Sequence, residues 1–300
     1  MALKPRLTAQ DFDQELLILF DAYVHGGIDR RGFLEGAAKF ATAGTTAAML
    51  LAALSPNFAA AQVVPKDDKR IVTQSIEVPS PTGSGSIKGL LARPASEGTQ
   101  KLPTILVIHE NRGLNPHIED IARRLAVDGY MAFAPDALTQ LGGYPGDEDK
   151  AREQFAKLDQ KKIYDDFLAC AAYLTARPDS TGKLGAVGFC YGGGIVYKLS
   201  VSLPTLNAAI AFYGNYPPAS DAAKVKAALQ IHNAAMDDRI NTAWPDYEEG
   251  LKAAKVPFTF YAYPGTQHGF NNDTTPRFDK DAAKLAWERS MAFFDKHVKG

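Results

Sequence analysis

The chain has 300 residues, of which 46% are hydrophobic and 10% aromatic, and its formal net charge at pH 7 is −1. These fractions are enough for one sizeable core, and the near-neutral charge excludes the basic surface on which nucleic-acid binding depends. The two cysteines, Cys170 and Cys190, fit neither a disulfide framework nor a metal-binding pattern. No metal, flavin or nucleotide motif is recognisable, so we expect no cofactor.

The first sixty residues differ from the rest of the chain. The pair Arg30-Arg31 precedes an apolar run over about 40–58 that is rich in alanine, glycine and threonine and is followed by three alanines. This order resembles a twin-arginine export signal with its cleavage site. It predicts a periplasmic or otherwise exported protein in which residues 1–61 are the signal and residues 62–300 form one folded domain.

An alternative for the same segment is a helical arm retained in a cytoplasmic protein. Apolar side chains recur there at steps of three and four residues, as in an amphipathic helix: Phe12, Leu16, Leu19, Phe20 and Tyr23. Such a helix would pack on the domain or on a second copy of the chain, which makes a homo-oligomer possible. The apolar run itself is too short and too rich in small residues to predict a permanent membrane span.

Patterns of strands and helices alternate from about residue 63 onward. Strands are predicted at 74–78, 87–92, 104–108, 130–134, 183–188, 208–212, 228–232 and 257–261, and helices at 118–127, 147–176, 192–202, 244–254 and 282–297. The run over 104–108 is continuously apolar and β-branched, which is typical of a central strand buried on both faces. The alternation predicts an α/β fold with a mostly parallel sheet covered by helices on both faces.

The segment Gly188-Phe189-Cys190-Tyr191-Gly192 lies between a predicted strand and a predicted helix. It has the spacing of the nucleophile elbow G-x-S-x-G, with cysteine in place of serine. Small flanking residues let the strand and the helix approach, and the tight turn strains the central residue. Because a thiol there lies at the amino end of a helix, its pKa is lowered. The pattern predicts Cys190 as a nucleophile.

In this type of site an acid and then a histidine follow the nucleophile along the chain. His268 lies in the loop after the last predicted strand, where it can reach the thiol. Asp237 and Asp238 follow the strand at 228–232, and one of them should accept a hydrogen bond from the imidazole. We predict Asp237. The other histidines are weaker candidates, and His25 belongs to the N-terminal segment.

Residues from about 72 to 299 resemble the dienelactone hydrolase family, the carboxymethylenebutenolidases of the α/β-hydrolase fold. The matching stretches are His109-Glu110-Asn111-Arg112-Gly113-Leu114, Ala134-Pro135-Asp136, Gly188-Phe189-Cys190-Tyr191-Gly192-Gly193 and Tyr263-Pro264-Gly265-Thr266-Gln267-His268-Gly269-Phe270. The resemblance implies a small-molecule ester or lactone substrate and a catalytic triad of Cys190, Asp237 and His268. It also implies that Glu110 lies near the thiol and holds its resting protonation state.

The oxyanion hole is predicted from the backbone N–H groups of Tyr191 and Asn111. Family members that act on dienelactone hold its carboxylate with arginines, one of which follows the catalytic histidine closely. Arginine is missing from that stretch of this chain, and Arg112, Arg152 and Arg239 are the substitute candidates.

A small ester or another lactone is therefore the predicted substrate, rather than dienelactone itself. Two alternatives remain open. One is a broad carboxylesterase or thioesterase that uses the same triad, and the other is a non-catalytic binding protein on a hydrolase scaffold.

Overall fold

The computed structural model describes residues 6–95 and 100–299. Its strands are β1 (Ile71–Ser80), β2 (Gly85–Pro94), β3 (Leu102–Ile108), β4 (Met131–Pro135), β5 (Ser180–Phe189), β6 (Leu206–Phe212), β7 (Ala228–Ala234) and β8 (Phe258–Tyr263). They form one sheet in the order β1-β2-β4-β3-β5-β6-β7-β8. The pairs β1–β2 and β2–β4 are antiparallel, and the strands from β4 to β8 in that order pair in parallel.

The helices of the domain are α5 (Pro116–Val127), α6 (Glu148–Phe155), α7 (Gln160–Ala176), α8 (Tyr191–Ser202), α9 (Asp238–Asn241), α10 (Trp244–Ala253) and α11 (Lys280–Phe294). Helices α7, α8 and α10 pack on one face of the sheet, and α5 and α11 pack on the other. Parallel strands need such crossover helices, which bury both faces of the sheet. The predicted α/β-hydrolase fold is confirmed.

Strand β3 shows how the apolar sequence produces a two-sided core. Leu106 and Ile108 belong to the core beneath α7 and α8, whereas Ile105 and Val107 belong to the core beneath α5 and α11. Successive side chains of a strand point to opposite faces, so a continuous apolar run is needed where both faces are covered. The carboxyl end of this strand leads directly to Glu110 and Asn111.

The N-terminal segment forms the helices α1 (Gln14–Val24), α2 (Arg30–Ala37), α3 (Ala47–Leu54) and α4 (Phe58–Ala61). We call residues 6–61 the N-terminal arm. Its first three helices enclose a core of their own, which contains Leu16, Phe20, Tyr23 and Phe33. This agrees with the amphipathic pattern, although Leu19 is only partly buried.

The apolar run over 40–58 is divided between α3 and α4 and is not one continuous helix. Within the described ranges, every helix is too short or too polar to cross a membrane. Removal of the arm from the mature protein stays a prediction.

Candidate active site

Cys190 lies at the sharp turn between β5 and α8. Its backbone has φ 53° and ψ −111°, a left-handed conformation that is costly for a residue with a side chain. The Cys190 N–H donates a hydrogen bond at 3.0 Å to the Phe212 carbonyl at the end of the neighbouring strand β6. A Cβ atom on Gly188 would lie only 2.1 Å from the Gly192 carbonyl oxygen, so this close approach requires glycine. The elbow predicted from the sequence is therefore present.

The thiol lies at the amino end of α8, and the Tyr191 N–H belongs to the first turn of that helix. Amide groups of a first turn have no acceptor within the helix and are available to an anion. This is the geometry that an oxyanion hole uses on the helix side.

The predicted acid and histidine lie together. Asp237 follows β7 and His268 follows β8, and both are buried. The Asp237 carboxylate oxygen is 2.5 Å from His268 Nδ1. Asp238 is exposed, as expected for an adjacent residue that points the other way. His268 Nε2 is buried and has no hydrogen-bond partner in the described part of the chain.

A second histidine, which sequence reasoning did not place in the site, touches the nucleophile. His25 of the N-terminal arm places Nε2 3.3 Å from Cys190 Sγ. Its Nδ1 is 2.8 Å from the Asp21 carbonyl oxygen and 3.2 Å from the Asp21 carboxylate. The rings of His25 and His268 meet edge to face with centroids 4.7 Å apart. The thiol therefore has two imidazoles beside it, each backed by an aspartate.

The electrostatics of the site favour a thiolate. Burial raises the pKa of the Cys190 thiol, but the charges of His25 and His268, together with the contact from His25 Nε2, outweigh it and lower this pKa to about 6. Burial opposes protonation of His25, yet the contacts with Cys190 and Asp21 raise its pKa to about 10. The pKa of His268 is also raised, because Cys190 and Asp237 outweigh the effect of burial. This balance of charges favours a thiolate paired with an imidazolium near neutral pH.

The residues after β3 line the cavity in front of the thiol and also hold the arm. Glu110 accepts a hydrogen bond from Asn272 Nδ2 at 3.1 Å. The Asn111 side chain donates to the Val24 carbonyl at 3.1 Å, and buried Arg112 donates to the same oxygen at 3.0 Å. Asn111 and Arg112 thus make specific contacts with the arm.

The other candidate arginines lie around the arm rather than in front of the thiol. Arg152 donates to the Tyr23 carbonyl at 2.7 Å and stacks on the ring of Tyr23 at 4.3 Å. Arg239 Nη2 lies 3.2 Å from His25 Nε2 and 3.1 Å from His268 Nδ1. Sequence reasoning did not select Arg277, which pairs with Asp21 at 3.2 Å and lines the cavity in front of the thiol.

Comparison with known proteins identifies the family of this chain. Residues 87–298 match the family model described as the dienelactone hydrolase family. The chain belongs to that family. It is a hydrolase that acts on ester or lactone bonds. A second model, described as YqhI-like, matches residues 4–40, which lie almost entirely in the arm.

Three relatives show the extent of the similarity. An Escherichia coli protein named "Putative hydrolase fragment YghX" is 50% identical over 38% of this chain and 97% of its own length. A "Putative carboxymethylenebutenolidase" of Synechocystis is 31% identical over 73% of this chain and 95% of its own. The crystal structure titled "Putative Dienelactone Hydrolase" from Klebsiella pneumoniae superposes with a TM-score of 0.68 at 27% identity, covering 76% of this chain and 99% of the other.

A cavity of about 360 Å³ opens in front of Cys190 in this hydrolase. The domain contributes Glu110, Arg112 and His268 to its wall, and the arm contributes Tyr23 and His25 among others. The donor atoms of His25, Cys190 and His268 lie within 4.8 Å of one another, a spacing that also suits a soft metal ion.

The sequence offered one usable signal for His25, namely Asp21 four residues earlier on the same helical turn.

Proposed function

We propose that this hydrolase cleaves small esters or lactones through a thioester on Cys190, with His268 and Asp237 as its acid–base pair. The observation that carries the proposal is the strained elbow of Cys190 beside the buried Asp237–His268 pair. A nucleophile on a tight strand–helix turn, together with a histidine oriented by a carboxylate, is the arrangement used for acyl transfer.

The reaction proceeds in two steps. Cys190 Sγ attacks the carbonyl carbon, the C–S bond forms, and the oxyanion accepts hydrogen bonds from the N–H groups of Tyr191 and Asn111. The C–O bond then breaks, and the leaving oxygen takes a proton from an imidazolium. In the second step His268 removes a proton from water, which attacks the thioester and releases the acid and the Cys190 thiolate.

The low pKa of Cys190, about 6, supports a nucleophile that is already ionised at neutral pH. Glu110 lines the same cavity and is the proposed proton acceptor for any thiol that is still protonated. Its carboxylate is hydrogen-bonded to Asn272, so that role requires the Glu110 side chain to turn when substrate enters.

The cavity supports a small substrate. Its volume of about 360 Å³ is near the lower end of the usual range for ligand pockets, roughly 300–1,000 Å³. The guanidinium groups in its wall are already engaged. Arg30 binds Asp149, Arg112 binds the Val24 carbonyl and Arg277 binds Asp21. We therefore propose a small ester or lactone without assigning dienelactone itself.

The test is hydrolysis of a panel that contains p-nitrophenyl acetate, ethyl acetate, dihydrocoumarin and an acyl thioester. The wild type should hydrolyse at least one of the esters or lactones, and Cys190→Ala should reduce that rate to background. The matched control is Cys170→Ala, because Cys170 is buried in the core of α7 away from the cavity. Full activity in Cys190→Ala would refute the proposal, and turnover of the thioester alone would favour the thioesterase alternative.

A further inference from the structure

The end of α1 is held against the domain by polar side chains. The Val24 carbonyl accepts hydrogen bonds from Asn111 Nδ2 at 3.1 Å and Arg112 Nη2 at 3.0 Å. The Tyr23 carbonyl accepts one from Arg152 at 2.7 Å. The last carbonyls of a helix have no partner within it, so the domain caps α1 from outside. This cap places the next residue, His25, beside the nucleophile.

Asp21 orients the imidazole of His25 as Asp237 orients that of His268. Asp21 contacts His25 Nδ1, which leaves Nε2 directed at Cys190 Sγ at 3.3 Å. The Asp21 carboxylate is itself fixed by Arg277 at 3.2 Å and by Arg239 at 3.6 Å. An imidazole whose Nδ1 is held by a carboxylate has a defined tautomer and a fixed ring plane, as in catalytic triads.

We propose that His25 is a second catalytic residue, supplied by the N-terminal arm, which protonates the leaving oxygen while His268 activates water. The inference rests on the proposed function of Cys190. In a triad with one histidine, the same imidazole protonates the leaving oxygen and later deprotonates water. Here each of these two proton transfers has its own histidine.

The steps balance. The cycle starts from the form in which the Cys190 thiolate is paired with protonated His25 and His268 is neutral, a distribution favoured by the positive charge of His25, which opposes a second proton on His268. Attack forms the C–S bond, and as the C–O bond breaks the leaving alkoxide takes the proton of His25. Water then loses a proton to His268, its oxygen bonds to the thioester carbon, and the C–S bond breaks to restore the thiolate. The proton on His268 returns to His25 by way of Sγ, which has a nitrogen of both rings within 4.8 Å.

The arm forms a wall of the site and does not plug it. The cavity in front of Cys190 is present with His25 in place, and both residues line it. The charged and titratable groups around the His25 ring are Asp21 on α1, Cys190 at the elbow, His268 after β8 and Arg239 after β7. The negative charges of the Cys190 thiolate and the Asp21 carboxylate outweigh the positive charge of Arg239. Together these groups favour the protonated form of His25.

The identity of the leaving group provides the decisive test. Nitrophenolate departs without a proton, whereas ethoxide needs one. In the full-length His25→Gln variant the smaller thiolate fraction slows attack on both esters equally. The ratio of kcat/KM for ethyl acetate to kcat/KM for p-nitrophenyl acetate should therefore fall about 10²-fold, the lower end for acid–base catalysis. His25→Ala should regain ethyl acetate hydrolysis when imidazole is added. The control is Met49→Gln, an exposed residue of the same arm.

Equal losses on both esters, or no loss on either, would overturn the role of His25. A second measurement does not depend on turnover. Alkylation of Cys190 by iodoacetamide should reach its half-maximal rate at higher pH in His25→Gln than in the wild type, and an unchanged midpoint would also overturn the inference. Full activity of Cys190→Ala would instead refute the nucleophilic role of Cys190. Failure of the proposed function can therefore be distinguished from failure of the inference about His25.

Discussion

The close approach of α8 to the end of β3 makes Gly192 a sensitive test of the elbow. A Cβ atom at Gly192 would lie 2.2 Å from the Ile108 carbonyl oxygen and 2.7 Å from that of His109. The shorter contact would have to open to about 3.0 Å, so the first turn of α8 would move by about 0.8 Å. That turn carries the Tyr191 N–H and follows Cys190 directly.

We expect Gly192→Ala to lose both stability and activity. Overpacking of this kind costs about 1–3 kcal/mol, which lowers Tm by several degrees in a domain of this size. A displacement near 1 Å at reacting groups costs about 10²-fold in rate. The loss in kcat for p-nitrophenyl acetate should therefore persist at temperatures where the variant is fully folded.

Gly194→Ala is the matched control, since it makes the same change two residues later on the same helix. Its Cβ would lie 3.4 Å from the Asn215 carbonyl oxygen, an ordinary contact. Replacing glycine by alanine inside a helix is favourable by about 0.5–1 kcal/mol, so Gly194→Ala should match or exceed the wild-type Tm. Thermal unfolding and steady-state kinetics of both variants decide the matter. Equal behaviour of the two variants would refute the argument from close packing.

Three further outcomes are expected. Asp237→Asn should lower kcat by at least about 10²-fold, because His268 loses the carboxylate that orients it, whereas Asp238→Asn, at an exposed position, should be neutral in the same assay. At pH values below about 6, where much of Cys190 is protonated, Glu110→Gln should slow the acylation burst without changing Tm, and an unchanged burst there would leave Glu110 a structural role only. Alkylation of Cys190 should follow its pKa of about 6, so the rate is high above that pH and is lost as the pH falls through it. A midpoint near the ordinary thiol value of 9.0 would contradict the proposed ion pair.

The main domain could be predicted closely because its signals are local. The continuous apolar run of β3, the glycine spacing around Cys190 and the positions of Asp237 and His268 after strands each follow from a short stretch of sequence. The topology of parallel strands then brings these loops to one edge of the sheet. A contact that depends only on such local order can be found without a structure.

The role of the arm could not be predicted in the same way. His25 and Cys190 are 165 positions apart, and their contact depends on how a separate helical unit docks on the domain. The contacts of the candidate arginines also depend on how the arm docks, since Arg152 binds the arm at Tyr23. Asp21 and His25, four residues apart on a helical pattern, were the available hint of an oriented imidazole.

Export with cleavage near Gln62 and a catalytic His25 exclude each other in the mature protein. Cleavage there would remove the whole arm together with the imidazole. Mass spectrometry of the protein from its native host distinguishes the two predictions. A mature chain that begins near Gln62 would support export and remove His25 from the working enzyme, whereas an intact arm on cytoplasmic protein would end the export hypothesis.

The separate core of the arm determines how the enzyme loses activity in denaturant. The arm buries its own apolar residues around Phe20 and Phe33, while polar contacts such as those of Arg112, Arg152 and Arg277 tie it to the domain. Units joined in this way open locally at a lower free energy than that of global unfolding. Mild urea should therefore release the arm and suppress ethyl acetate hydrolysis while the eight-stranded sheet is still folded, so that loss of this activity precedes denaturation.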